Sequence, residues 1–376
     1  MLRNLLLTFF LLIHFGAYTT SIRQEISDDY EVLTLSAAIM DHYFDITEEQ
    51  LKLITNEKGG WAPIDRATLT SILSKSETVS KMVPGGSGAN VSKGLAQLGE
   101  KCALIGKVGD DDKGEYYTKK LQDYGVISLF KKGTLPTGEA ICLITPDGER
   151  TFRTYLGASH SLTDLTFDKE LFTHKIRHFH LEGYQLVDQD LVLRMLKLAK
   201  KANVTISIDL ANVEIVRRNE QFIREILKNY IDIVFCNERE AKALTGLSAS
   251  ESCDMLAKLC DIAVVTMSER GSWIRRGDTK VYMEALSVKA IDTTGAGDLY
   301  ASGFLHGYLQ GYPLKDCAWI AAFVSSHVVK RIGPEIPKPV WEEIKNQIKA
   351  KLSMNERISS SFNPRIDQAF NCPNAC

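Results

Sequence analysis

From Tyr30 onward, short apolar runs alternate with longer segments in which apolar residues return every three or four positions. Short, almost unbroken apolar runs read as strands covered on both faces, and the amphipathic segments between them as helices. Such alternation predicts βαβ units around a mainly parallel sheet. The strand candidates are Val32–Ile39, Cys102–Val108, His178–Glu182, Thr205–Asp209, Asp232–Cys236 and Ala263–Met267. One predicted helix carries Val91, Leu95 and Leu98 on one face and stops at Gly99, and another holds Leu191, Leu193, Leu196 and Leu198.

Two stretches break the alternation. Glu139–Thr145 and Arg150–Tyr155 flank Pro146-Asp147-Gly148-Glu149, a strong hairpin signal. An antiparallel ribbon inserted in a parallel α/β chain must leave the main sheet, so a small β lid is expected over about residues 126–158. The segment from His42 to Ala62 interrupts the chain soon after the first strand and is expected to join the same lid. With no internal repeat and no low-complexity linker, the expectation is one large domain over residues 31–352, with a hydrophobic leader (1–30) before it and a polar tail (353–376) after it.

Composition narrows the function. The 376 residues hold 45 Lys+Arg against 47 Asp+Glu and are 44% hydrophobic, an ordinary globular balance. No long basic run is available to neutralise phosphates, which argues against nucleic acid and against stable membrane association and favours a small-molecule substrate. Arg3 followed by the apolar stretch Leu5–Phe15 has the form of a secretory signal. That stretch is shorter than the ~20 apolar residues of a membrane span. Three readings follow for it: a cleaved signal, an extra leader on a cytosolic protein, or residues upstream of the true start.

Cysteine placement bears on the compartment. Cys102, Cys142 and Cys236 lie in strand-like runs and Cys260 and Cys317 in helix-like ones, with no disulfide framework or zinc-knuckle spacing. Single buried thiols suit a reducing compartment, so a cytoplasmic location is expected. The close pair Cys372 and Cys376 falls in the polar tail, where an unstructured terminus is a better reading than a redox or metal site.

The most informative stretch is Asp292-Thr293-Thr294-Gly295-Ala296-Gly297-Asp298, followed by a helical pattern from Leu299 to Leu305. Small residues at a helix start leave backbone N–H groups accessible beside a partial positive charge, an anion site suited to phosphate. Asp298 there is either a cap or dipole partner, or a general base meeting a hydroxyl that attacks a phosphoryl group.

This string resembles the C-terminal signature of the PfkB/ribokinase family of carbohydrate and nucleoside kinases. Gly85-Gly86-Ser87-Gly88-Ala89-Asn90-Val91-Ser92, followed by Leu95, Leu98 and Gly99, is similar to that family's N-terminal signature. Gly106–Asp111 and Asn237-Glu238-Arg239-Glu240 extend the likeness to about residues 31–350. Thr154–Ser159, Leu181–Tyr184 and Asp292–Leu305 look most like bacterial adenosine-kinase-like members.

The resemblance implies a ribokinase-like α/β/α fold with a lid, and roles for matched positions. Asp298 would be the catalytic base, with the amides of Gly295, Ala296 and Gly297 as anion hole. Gly86, Asn90 and Asp41 would hold sugar hydroxyls; alone, Asp41 is an ordinary turn residue. Asn237 and Glu240 would position magnesium and its waters, although Asn-x-x-Glu is equally a helix capping box. Thr266 and Gly271 would contact the nucleotide.

Several positions depart from the family pattern. Ala37, preceded by Ser36, stands where the family has a ribose-binding Asn, and Ser268 replaces the first glycine of a Thr-x-Gly-x-x-Gly turn. Asp292 is expected to order the loop and, as in some relatives, a monovalent cation. The stretch Lys330–Pro334 lacks the small Gly-Ala pair expected there, so dependence on K+ stays open. Tyr155 and Tyr184 stand near the implied pocket, where lid or core packing is the first reading and stacking on a purine the second.

There is no Gly-x-x-x-x-Gly-Lys-Ser/Thr loop, so ATP would be bound without a P-loop. The expected reaction is transfer of the γ-phosphoryl of Mg-ATP to adenosine. A sugar kinase for ribose or fructose is the alternative, and a non-catalytic nucleoside sensor the second one. Lid strands of this family sometimes pair between subunits, which leaves monomer and homodimer both open.

Overall fold

The structure, a computed structural model, describes residues 30–75, 81–164, 171–172 and 175–361. The leader before Tyr30 and the Cys372/Cys376 pair lie outside them. The strands are β1 (Val32–Leu35), β2 (Ile39–Asp45), β3 (Trp61–Pro63), β4 (Lys81–Gly85), β5 (Cys102–Gly109), β6 (Val126–Gly133), β7 (Gly138–Ile144), β8 (Arg150–Tyr155), β9 (His178–Glu182), β10 (Thr205–Asp209), β11 (Ile233–Asn237), β12 (Ile262–Thr266), β13 (Ser272–Arg276) and β14 (Thr279–Met283).

Nine of them form one sheet in the order β14-β13-β12-β11-β10-β9-β1-β5-β6. It is parallel from β12 to β6 and ends in the antiparallel pairs β12/β13 and β13/β14. Alternate side chains feed two cores, as parallel strands covered on both faces require. Leu33, Phe179, Ile206 and Val234 pack with Leu191, Met195 and Leu196 of the helix Gln189–Lys201 on one face. On the other, Val32, Leu104, Ile233 and Val264 pack with Leu95, Phe304 and Ala318. The helix ending at Gly99 is the predicted one, and Gly99 takes the left-handed conformation at its end.

The smaller sheet has the order β3-β8-β7-β2-β4, with the expected hairpin as its β7/β8 pair. Three sequence expectations change here. Val32–Ile39 is not one strand: the chain leaves the large sheet after Leu35 and enters the small one at Ile39. Ser36 Oγ and Ala37 N donate to the Glu182 carboxylate at 2.5 and 3.2 Å, which draws the link out of the β1 ladder. Asp41 is therefore a buried residue inside β2, not a turn residue. Val126–Gly133, expected to begin the second lid segment, is the parallel edge strand beside β5, and Lys81–Gly85 joins the small sheet instead.

The contacts divide the chain after Glu335 into two compact units, of which the second contains the helix Lys338–Ser361. Trp341, Ile344, Ile348 and Leu352 share one face of that helix. No helix among the described residues is long and apolar enough to cross a membrane.

Candidate active site

Beyond the carboxyl ends of β1 and β9–β12, where open parallel sheets bind ligands, lies a cavity of about 840 Å³ roofed by residues of the small sheet. Nine of the eleven sequence-predicted site residues line it: Asp41, Gly86, Asn90, Asn237, Glu240, Thr266, Gly295, Gly297 and Asp298. The other two do not. Ala296 turns its amide to Thr293 O at 3.1 Å, and Gly271 sits at the start of β13 against the Met283 carbonyl.

Asp298 sits in the first turn of the helix Ala296–Leu309, whose N-cap Gly295 has φ 75°. A Cβ on Gly295 would lie 2.6 Å from the Pro334 side chain, so the loop needs glycine for both reasons. The amides of Gly297 and Asp298 open this helix with no acceptor among the described residues. Ser87 Oγ and Asn90 Nδ2, from the helix Ser87–Leu98, each donate to the Asp298 carboxylate at 2.8 Å. Burial pushes its pKa up to about 6 while those two hydrogen bonds hold it down. It is thus largely ionised at neutral pH yet weakly solvated, the condition for a general base.

Asn90 Oδ1 is buried without a partner among the described residues. Its orientation is set by Asp298, because the reverse amide orientation would face oxygen to oxygen. Asp41 is raised to about 7 by burial, with the nearby Lys93 and Tyr43 opposing and the Asp298 and Glu182 charges adding. Lys93, buried behind it, donates to Pro84 O at 2.8 Å.

Asn237 and Glu240 form a complete capping box. Asn237 Oδ1 accepts from the Arg239 and Glu240 amides at 2.9 and 3.0 Å, and Glu240 Oε2 accepts from Asn237 N at 2.8 Å. The structural reading of this pair therefore holds whatever else it does. Burial lifts Glu240 to about 7. Asp209, which sequence reasoning passed over, is pushed well above the carboxylate range by burial and by the Glu240 and Asp298 charges. Burial and their mutual repulsion thus favour the neutral forms of both carboxyls, and a hard divalent cation, which takes oxygen ligands, would favour the ionised ones.

Ser268, in place of a glycine, still adopts φ 53°, so the turn keeps the left-handed backbone that glycine would favour. Thr266 Oγ1 donates to Cys236 O at 3.5 Å and ties β12 to β11.

Glu182 was also missed as a site residue. It ends β9, lines the cavity, and collects Ser36 Oγ, Ala37 N, Gly88 N and Gln185 Nε2, which joins both sheets to the start of the helix Ser87–Leu98. The available signal for Glu182 and Asp209 was the same: each is a carboxylate closing an apolar strand at its carboxyl end. Trp61 of β3 and Tyr184 pack against each other at the cavity wall, with ring centroids 5.3 Å apart and planes tilted by 47°, and Trp61 Nε1 is tied to Thr154 Oγ1 at 3.0 Å. Tyr184 therefore belongs to the cavity wall.

A carboxylate among open helix-start amides, at strand ends beneath a lid sheet, defines a phosphotransferase that acts on an alcohol group. The chain belongs to the pfkB family carbohydrate kinases, whose pattern matches residues 64–341, and is a nucleoside or sugar kinase of the kind that uses ATP. A nucleoside kinase of Methanocaldococcus jannaschii is 30% identical over 266 residues, covering 69% of this chain and 83% of that protein. The crystal structure of a probable sugar kinase from Rhizobium etli superposes with a TM-score of 0.79 at 31% identity, covering 85% of this chain and 98% of that one. Adenosine kinase from Sinorhizobium meliloti follows with a TM-score of 0.76 at 32% identity, over 82% and 96% of the two chains.

Proposed function

We propose that this kinase phosphorylates a nucleoside, with adenosine as first substrate and AMP and ADP as products. The observation that carries this reading is the Trp61–Tyr184 pair, which places two aromatic rings in the cavity that also holds Asp41, Asn90 and Asp298. A nucleoside needs both ends: converging polar groups for ribose and a flat apolar slot for the base. A free sugar leaves the aromatic end without work.

In this reading the ribose hydroxyls donate to Asp41 and to the unpartnered Oδ1 of Asn90. The reacting hydroxyl faces Asp298, which takes its proton as the oxygen attacks the γ-phosphorus. The open amides of Gly297 and Asp298, continuing the Gly295–Ala296 turn, donate to the phosphoryl oxygens where charge develops. Mg2+ would be held through Asn237, Glu240 and Asp209 with waters, and would neutralise phosphate charge. The small sheet keeps water from the phosphoryl group.

An ADP-release screen of adenosine, other nucleosides, ribose and fructose, with Asp298→Asn as control, tests the reading. Turnover of adenosine that vanishes in the control is expected. ADP release with a free sugar alone would make the chain a sugar kinase. Ligand-induced thermal stabilisation without turnover of any acceptor would make it a sensor.

A further inference from the structure

Asp292 stands behind the anion loop, 4% exposed, with both carboxylate oxygens engaged. Oδ1 accepts from Thr294 N at 2.8 Å and pairs with the Arg150 guanidinium, and Oδ2 accepts from Gly333 N at 2.7 Å. Arg150 also donates from Nη1 to Thr293 Oγ1 at 2.7 Å, so one side chain grips two successive residues of the loop. It comes from the first position of β8, opposite Ile144 in the small sheet. A cation from the lid sheet is thereby seated on the loop that carries Gly295 to Asp298.

The family resemblance puts a monovalent cation beside this aspartate, and the residues present do not fit one. The carboxylate oxygen that would ligate it already holds a guanidinium, and a second cation placed there would be repelled. The segment that wraps Asp292, through Val329 O and Gly333 N, carries Lys330 and Arg331 where a small uncharged pair was expected.

We propose that Arg150 is the built-in cation of this site: it takes the place of a free monovalent ion at Asp292, orders the phosphoryl-binding loop without potassium, and links that loop to the lid sheet. Arg150 is in this respect a positioning residue, acting through Asp292 and Thr293. The inference rests on the phosphotransfer site and not on the identity of the acceptor.

The test compares the full-length protein in potassium, sodium and tetramethylammonium chloride at equal ionic strength, by melting temperature without substrate and by ADP release with substrate. Wild type is expected to melt and turn over alike in all three salts. Arg150→Gln leaves Asp292 buried and uncompensated and is expected to lose roughly 5 °C in tetramethylammonium. Its turnover is expected to fall at least about tenfold as the loop loses its position. Recovery of melting temperature by Arg150→Lys, or in Arg150→Gln by potassium alone, shows that the site takes a positive charge.

A potassium-specific rise in wild-type melting temperature or rate overturns the proposal. So does an Arg150→Gln variant equal to wild type, or one restored by neither lysine nor potassium. The melting arm needs no acceptor, so failure of the nucleoside reading leaves it decisive.

Discussion

Asn90 donates its Nδ2 hydrogen to Asp298 at 2.8 Å and leaves its own Oδ1 buried without a partner among the described residues. One amide thus holds the base in place and offers the acceptor that a substrate hydroxyl would meet. Asn90→Ala removes both. Loss of a hydrogen bond that favours the ionised form moves the Asp298 pKa further up, so the acidic limb of the kcat/KM profile should shift to higher pH. At pH 7, kcat/KM should fall by about 10- to 100-fold. An unmoved limb would separate Asn90 from the base.

The Asp298 pKa of about 6 gives a pH prediction with a definite sign. A base must be ionised, so kcat/KM should rise as pH increases through about 6 and level off above it. Stability moves the other way. The folded pKa lies above the ordinary 3.8, so this group's contribution is intact below pH 3.8 and is lost as pH rises to about 6. Asp298→Asn should therefore abolish turnover, and above pH 6 it should raise stability by about 1–3 kcal/mol. Thermal melts across the range check this; the gain should disappear in acid.

Gly85 lies against Asp41: a Cβ there would stand 2.1 Å from the carboxyl carbon. Gly85→Ala must displace Asp41, since neighbouring β2 and β4 backbones cannot separate without breaking their ladder. The expected result is a KM for the acceptor raised about tenfold or more, with the KM for ATP little changed. Steady-state kinetics in both substrates would show the split.

Trp61 lines the cavity from the three-residue strand β3, its ring packed on that of Tyr184. Trp61→Ala should weaken a nucleoside by about 1–3 kcal/mol, or roughly 5- to 150-fold in KM, and leave any turnover of ribose nearly unchanged. Equal losses for both acceptors would point to a collapsed lid sheet, not a lost base contact.

Much of the fold and part of the site were legible in the chain itself. The apolar runs at β5, β9, β10, β11 and β12 follow from strands buried on both faces, which tolerate little else. The Gly-Ala-Gly turn before Asp298 and the Gly-Gly turn before Asn90 are local backbone requirements, visible as residue types at fixed spacing. The hairpin was equally local, marked by its Pro-Asp-Gly-Glu turn.

What stayed hidden depended on distant partners. Val32–Ile39 reads as one apolar run, and its break at Ser36 depends on Glu182, 146 residues away. The Arg150 contact to Thr293 spans 143 residues, so neither hydrophobic period nor motif spacing could reveal it. Trp61 and Tyr184 look like ordinary lid and core aromatics until the small sheet brings them into contact at the cavity wall. The sequence by itself determined the layered α/β architecture and the two glycine turns that line the cavity, because these arise from short-range backbone sterics and apolar periodicity. Only the tertiary structure decided which carboxylates share the cavity, which cation sits on Asp292 and which aromatic rings meet at the cavity wall, because such long-range pairings depend on how the sheets fold together.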